Sequence, residues 1–144
     1  MIKALLIITL WVSAPLVALA EINADEIVGV WLVENGDGYV EIERKGDQYY
    51  GTIIGAPEGT REPGERDIKN KDPKLRDRLL NGLLLMGDYT FNGKRWVKGW
   101  VYDPHTGKSY KSRLTLQDKN TLKVRGYVGN PRVGKTKVWT RKVN

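Results

Sequence analysis

The chain contains no cysteine, one histidine, one phenylalanine and two methionines in 144 residues. Without cysteine there is no disulfide, no thiol nucleophile and no thiolate metal site, so stability must come from core packing and backbone ladders. With a single histidine, His105, a two-histidine metal site is excluded as well. Long apolar runs are absent beyond the first twenty residues. The remainder is rich in turn formers, with 16 glycines and 6 prolines, and basic, with a formal net charge of +7.

The one apolar run has the order of a secretory signal peptide. Lys3 gives a positive start, Ala4 to Trp11 is unbroken and mostly aliphatic, Pro15 interrupts it, and Ala18-Leu19-Ala20 offers small residues at the positions a signal peptidase reads. The stretch is about 17 residues, at the short limit for a membrane span. Cleavage after Ala20 is expected, with no lipid-anchoring cysteine at the junction, leaving one domain over 21–144. The product is expected to be exported, periplasmic or secreted, and soluble.

That domain reads as short alternating segments. Val40 and Ile42 alternate with Tyr39, Glu41 and Glu43; Leu114 and Leu116 alternate with Arg113, Thr115 and Gln117; Leu122 and Val124 alternate with Lys123 and Arg125. Period two marks half-buried strands. Turn chemistry separates them at Asn35-Gly36-Asp37-Gly38, Gly46-Asp47, Asn92-Gly93, Asp103 to Gly107 and Asp118 to Asn120. Strands are expected near 28–34, 38–45, 48–55, 83–91, 95–103, 108–117, 120–128 and 134–142. The fold class is therefore all-β: an eight-stranded antiparallel up-and-down barrel, the size that closes around its own side chains or one small ligand. The insertion at 56–82, between strands 3 and 4, carries Asp72-Pro73, a sound helix start. A helix near 73–80 is expected to plug one barrel end or to act as a lid.

Charge is unevenly spread. Residues 21–55 hold eight acidic and two basic side chains, whereas 108–144 hold eleven basic side chains and only Asp118. Closure would set strands 1 and 2 beside strand 8, where opposite charges meet favourably. A basic surface should remain on strands 6 to 8 and favour anionic partners such as anionic lipid headgroups, polyanionic glycans or an acidic protein. Nucleic acid is not expected as a partner of an exported protein.

Gly129-Asn-Pro-Arg-Val-Gly134-Lys135-Thr136 matches the phosphate-binding P-loop at every fixed position. That chemistry needs a following helix, and the eight residues after Thr136 include Val138, Trp139, Thr140 and Val143, a strand-like mix. No nucleotide and no other cofactor is expected; the segment reads as a turn between the last two strands. His105 sits in a turn beside Asp103, Gly36-Asp37-Gly38 lacks calcium-ligand spacing, and Ser109 and Ser112 have no base nearby in sequence. No catalytic residue and no metal site are therefore nominated.

Aromatic residues supply the better candidates. By parity Trp96, Trp100 and Tyr102 share one face of the fifth strand with Lys98, and Tyr110 lies just across the next hairpin. Val97 and Val101 occupy the other face, so the inward side stays open. Such residues offer apolar area with a hydrogen-bonding handle. The candidate ligand-binding set is Trp96, Trp100, Tyr102 and Tyr110, with Arg125 and Tyr127 on the seventh strand.

Gly29-Val30-Trp31 in the first strand with Arg141 in the last resembles the lipocalin arrangement, in which the Gly-x-Trp packs against a closing-strand arginine. The resemblance implies that Gly29, Trp31 and Arg141 seal the barrel and do not touch ligand. Gly29-Val-Trp, Asp72-Pro73-x-Leu75-Arg76, Gly99-Trp-Val-Tyr-Asp-Pro104, Gly107-Lys-x-Tyr110, Leu122-Lys-Val-Arg-Gly-Tyr127 and Trp139-Thr-Arg141 together resemble the exported bacterial domain of unknown function 2147 family. Many members carry two cysteines at the places occupied here by Tyr50 and Asn81, which implies a missing disulfide and a freer 56–82 segment. Three functions stay open: a binding module for a small apolar or amphipathic ligand, an envelope protein contacting anionic glycan or lipid headgroups, and a cavity-site enzyme.

Overall fold

The computed structural model describes residues 2–15 and 22–144. The expected signal-peptide cleavage site at Ala18 to Ala20 lies outside the described residues. Residues 2–15 form no helix or strand, and no described helix is long and apolar enough to cross a membrane.

Eight strands form, each within a residue or two of its expected bounds: β1 Gly29–Leu32, β2 Tyr39–Lys45, β3 Gln48–Gly55, β4 Leu84–Phe91, β5 Trp96–Asp103, β6 Lys108–Asp118, β7 Thr121–Tyr127 and β8 Gly134–Arg141. Each pairs antiparallel with its sequence neighbour, and β8 returns to β1 to close the barrel. Strand alternation sends Val40, Ile42, Leu114, Leu122, Val124 and Trp139 into the core. Burying such side chains contributes roughly 1.5–3 kcal/mol each, the dominant stabilising term.

One end is sealed by the lipocalin-like trio. Arg141 stacks over the Trp31 ring at 4.3 Å. Its guanidinium donates to the carbonyls of Lys119, Val28 and Glu26, the last two at 3.0 and 2.5 Å. Gly29 must be glycine, because its φ is 138° and an added Cβ would stand 2.8 Å from Arg141 Nη1. The Ala24–Ile27 3₁₀ turn covers this end. Trp31 Nε1 donates to the Ile27 carbonyl at 2.9 Å and Trp96 Nε1 to that of Ala24 at 3.0 Å.

Closure does not work through ion pairs, as the charge asymmetry suggested. Backbone pairing joins β1 to β8 at Trp31↔Arg141 and Leu32↔Thr140. None of the ion pairs among the described residues crosses this seam; Glu34 instead accepts the Val138 amide at 2.5 Å.

The helix expected at 73–80 does not form. Asp72 caps a single 3₁₀ turn, Pro73–Leu75, and Leu75 and Leu79 remain partly exposed. Leu79 instead bridges to Arg66, so the 56–82 segment folds back on itself as a strap and not as a plug. Polar ties fix it. Asp67 lies fully buried, accepting from Tyr102 Oη at 2.5 Å, Asn70 Nδ2 at 2.8 Å and Arg78 Nε at 2.9 Å.

Candidate functional site

Opposite the sealed end, the β1–β2, β3–β4, β5–β6 and β7–β8 connections surround a cavity of about 670 Å³. Its walls include Val40, Ile53, Leu85, Val101, Val124 and Trp139, side chains of the barrel interior. Its volume falls within the roughly 300–1,000 Å³ of small-molecule sites. A larger hollow of about 930 Å³ lies outside the barrel, between the 56–82 strap and the wall at Leu84 and Trp100. That hollow opens more widely to solvent, and the interior cavity is the more enclosed of the two.

Above the apolar walls, the mouth is charged. His105 Nε2 lies 2.9 Å from Asp37 Oδ2, and its Nδ1 lies 3.2 Å from Asp103 Oδ1, tying the β1–β2 loop to the β5–β6 turn. The bond to Asp37 raises the imidazole's pKa, opposed by partial burial and reinforced by Asp103. Burial pushes the Asp103 carboxyl up, but the His105 amide and the charge of Lys137 outweigh it and leave it lowered. Arg61 enters from the strap. It donates to the carbonyls of Asp37 and Gly55 at 3.2 and 3.1 Å and to Asn81 Oδ1 at 2.7 Å, while its Nη1 is buried without a partner. Among the described residues no group of three or more acidic or histidine side chains is arranged to hold a metal.

The aromatic candidates are divided by the wall. Asp88 on β4 and Lys98 on β5 both take a left-handed backbone, φ 62°, between the pairs Gly87↔Trp100 and Thr90↔Val97. An extra residue in each strand at the same level keeps the register but reverses which face follows. Trp96, Trp100 and Tyr102 therefore do not share a face, contrary to simple parity. Trp96 is 0% exposed in the core at the sealed end, too deep to touch a ligand in the cavity. Trp100 stands outside, with its indole N–H donated to Asp88 at 3.0 Å and Gly87 lying between its ring and that of Tyr50. Tyr102 is held under the strap by Asp67 and borders both hollows.

Val101 and Tyr110 face the cavity instead, and Tyr127 borders it. Arg125 does not reach inside: it lies opposite Arg113 on the outer face and folds over the β7–β8 loop. There it donates to the Pro131 carbonyl at 2.7 Å and to Thr136 Oγ1 at 2.8 Å. The residues that sequence reasoning missed are Arg61, Lys135 and Lys137. Arg61 sat in an insertion without periodicity, Lys137 sat on a strand read only for its charge, and Lys135 was read only as part of the P-loop-like match. The P-loop-like segment Gly129 to Thr136 is the β7–β8 turn running into β8, with no helix after it.

Comparison with known proteins agrees with this architecture. A solved structure described as "Protein HP1028 from the human pathogen Helicobacter pylori belongs to the lipocalin family" is similar with a TM-score of 0.73. The two sequences are 22% identical over 82% of this chain and 84% of that one, a likeness that extends to the fold. No curated protein matches the chain. The family model for "Uncharacterized protein conserved in bacteria (DUF2147)" matches residues 29–141, from the glycine that makes room for the sealing arginine to that arginine itself, and the chain belongs to this family.

Proposed function

We propose that this protein is a binding module for a small amphipathic molecule, held with its apolar part inside the barrel and its polar part at the mouth. The observation that carries this reading is the 670 Å³ cavity, apolar at Val40, Ile53, Val124 and Trp139 and charged at its rim. A barrel filled by its own side chains would leave no such space. At the mouth both nitrogens of His105 are taken up by Asp37 and Asp103, and among the described residues no hydroxyl is bonded to that imidazole, an arrangement that favours binding over catalysis. The signal-like start, Lys3 followed by an apolar run, supports export, so the ligand would be met outside the cytoplasm.

The test uses N-phenyl-1-naphthylamine, a neutral apolar fluorophore whose emission rises in dry pockets. Saturable binding with one site is expected, and Val124→Phe, which fills the cavity from a buried wall position, should weaken it at least tenfold. Circular dichroism checks that the variant keeps its strands. Absence of saturable binding, or equal binding by a folded Val124→Phe protein, rejects the reading.

A second reading rests on the outer face of β6 and β7. Arg113 lies directly opposite Arg125, with Lys111 and Lys123 beside them, an arrangement of like charges that is mildly unfavourable for the sheet itself. Such a face suits an anionic envelope surface. Binding to anionic vesicles should fall steeply with salt and be lost on Lys111→Glu/Lys123→Glu, positions that leave Arg125 to hold its loop. Indifference to both changes rejects it.

A further inference from the structure

The β8 strand carries two lysines that its pairing turns toward the barrel interior. Trp139 opposes Leu122, and both are core residues. Two residues along, Lys137 opposes Val124, and two further, Lys135 opposes Gly126. Residues two apart on a strand share a face, so the side that buries Trp139 presents Lys137 and Lys135 to the upper cavity, and both border it. Gly126 stands at the same wall: a Cβ there would lie 3.4 Å from Tyr110 and 3.7 Å from Val101, both of which border the cavity.

Both lysines remain exposed to water, and together they set a positive rim over an apolar floor, which favours an anionic group placed between them. The carboxylates at the mouth answer these charges only in part: Asp103 feels the charge of Lys137 from beyond ion-pair distance. Asp37 and Asp103 bind His105, and Glu34 accepts the Val138 amide. Glu65 also borders the cavity, and among the described residues no carboxylate comes within ion-pair distance of Lys135 or Lys137. On the strap side, the buried Nη1 of Arg61 adds a donor with no acceptor. A donor of that kind is costly when left unmade.

We propose that the ligand is an amphiphile with an anionic headgroup, received by Lys135 and Lys137 with Arg61 facing them across the mouth, its chain lying against Val124, Ile53 and Trp139. This deepens the binding reading above and rests on it. Lys135 thus meets an anion after all, through its inward position on β8 and not through any nucleotide-binding loop.

Competition against bound N-phenyl-1-naphthylamine separates the two levels. Dodecanoate, dodecanol, dodecyltrimethylammonium and inorganic phosphate are titrated in turn against the full protein. Dodecanoate should displace the fluorophore at a concentration at least tenfold below dodecanol and dodecyltrimethylammonium, and phosphate alone should not displace it. In Lys135→Gln/Lys137→Gln the advantage of dodecanoate over dodecanol should shrink toward one. The matched pair Lys94→Gln/Lys119→Gln, exposed in the β4–β5 and β6–β7 turns at the sealed end, should keep it. Equal displacement by dodecanol and dodecanoate, or an advantage untouched by the β8 substitutions, overturns the anionic headgroup while the binding reading stands. Displacement by phosphate as effective as by dodecanoate overturns the amphiphile. Failure of the fluorophore itself to bind removes the reading on which the proposal rests.

Discussion

The most demanding test of the architecture is Asp67→Ala. The Asp67 side chain is 0% exposed and accepts three hydrogen bonds, from Tyr102, Asn70 and Arg78. Tyr102 belongs to the barrel wall and the other two to the strap, so this carboxylate fastens the strap that frames the mouth. Removing it leaves the Tyr102 hydroxyl and the Asn70 amide buried without acceptors, each costing about 1–3 kcal/mol. Arg78 is 37% exposed and can turn to water, which discounts its share. The total is on the order of 3 kcal/mol, near the lower bound for breaking a buried pair. For a domain of this size that lowers Tm by about 10 °C. Urea unfolding followed by tryptophan fluorescence measures the loss, and limited proteolysis reports strap release between residues 56 and 82. A cycle with Tyr102→Phe should give a coupling of about 1–2 kcal/mol, because one substitution removes the acceptor and the other its donor. A loss within about 0.5 kcal/mol, the range of ordinary surface changes, with no new cleavage in the strap, would refute the reasoning.

Three further outcomes follow from the same physical account. Lys98→Gly should stabilise by about 0.5–1 kcal/mol, because φ is 62° there and glycine adopts that region without strain, whereas neighbouring Gly99→Ala, whose Cβ would collide with the Tyr89 ring, should destabilise by about 1–3 kcal/mol; paired urea melts check both signs. His105 has a raised pKa, so its bridge to Asp37 and Asp103 contributes fully below the ordinary value of 6.5 and is lost as pH rises through the raised one. Its side chain is 55% exposed, so the pH-dependent part should stay under about 1 kcal/mol and vanish in His105→Asn, measured as the difference in stability between pH 6 and pH 8.5. Tyr49 and Tyr102 are pushed up to about 12, first by burial and then by their bonds to Asp25 and Asp67, and burial raises Tyr89 too. Their neutral forms stabilise the fold fully below pH 10, and that contribution is lost as pH climbs toward 12, so the urea midpoint should fall across that window while phenolate absorbance for these rings appears only with unfolding.

The strand bounds were legible because period-two burial and glycine-rich turns are local signals, and nothing in the barrel overrides them. The sealing trio was legible for a related reason: glycine, tryptophan and arginine have few substitutes when a guanidinium must stack on an indole and cap three carbonyls. The face of β5 that lines the cavity was not legible, and the obstacle is a single backbone choice. Parity carries a face along a strand only while every residue is extended, and Lys98 is an unremarkable residue to find in a left-handed conformation. Its effect is to put Trp96 inside and Trp100 outside, so three aromatics that look like one surface on paper become a core residue, an outer cluster with Tyr50 and Asp88, and a strap anchor. Asp72-Pro73 misled in the opposite way, since a good cap starts a turn but only an apolar face with somewhere to pack extends it into a helix. On β8 the same parity rule held without interruption, and there it places Lys135 and Lys137 in the barrel mouth. Charge on an inward position is the sequence signal for the cavity, and it becomes readable once the register of β7 and β8 is fixed by Leu122 against Trp139.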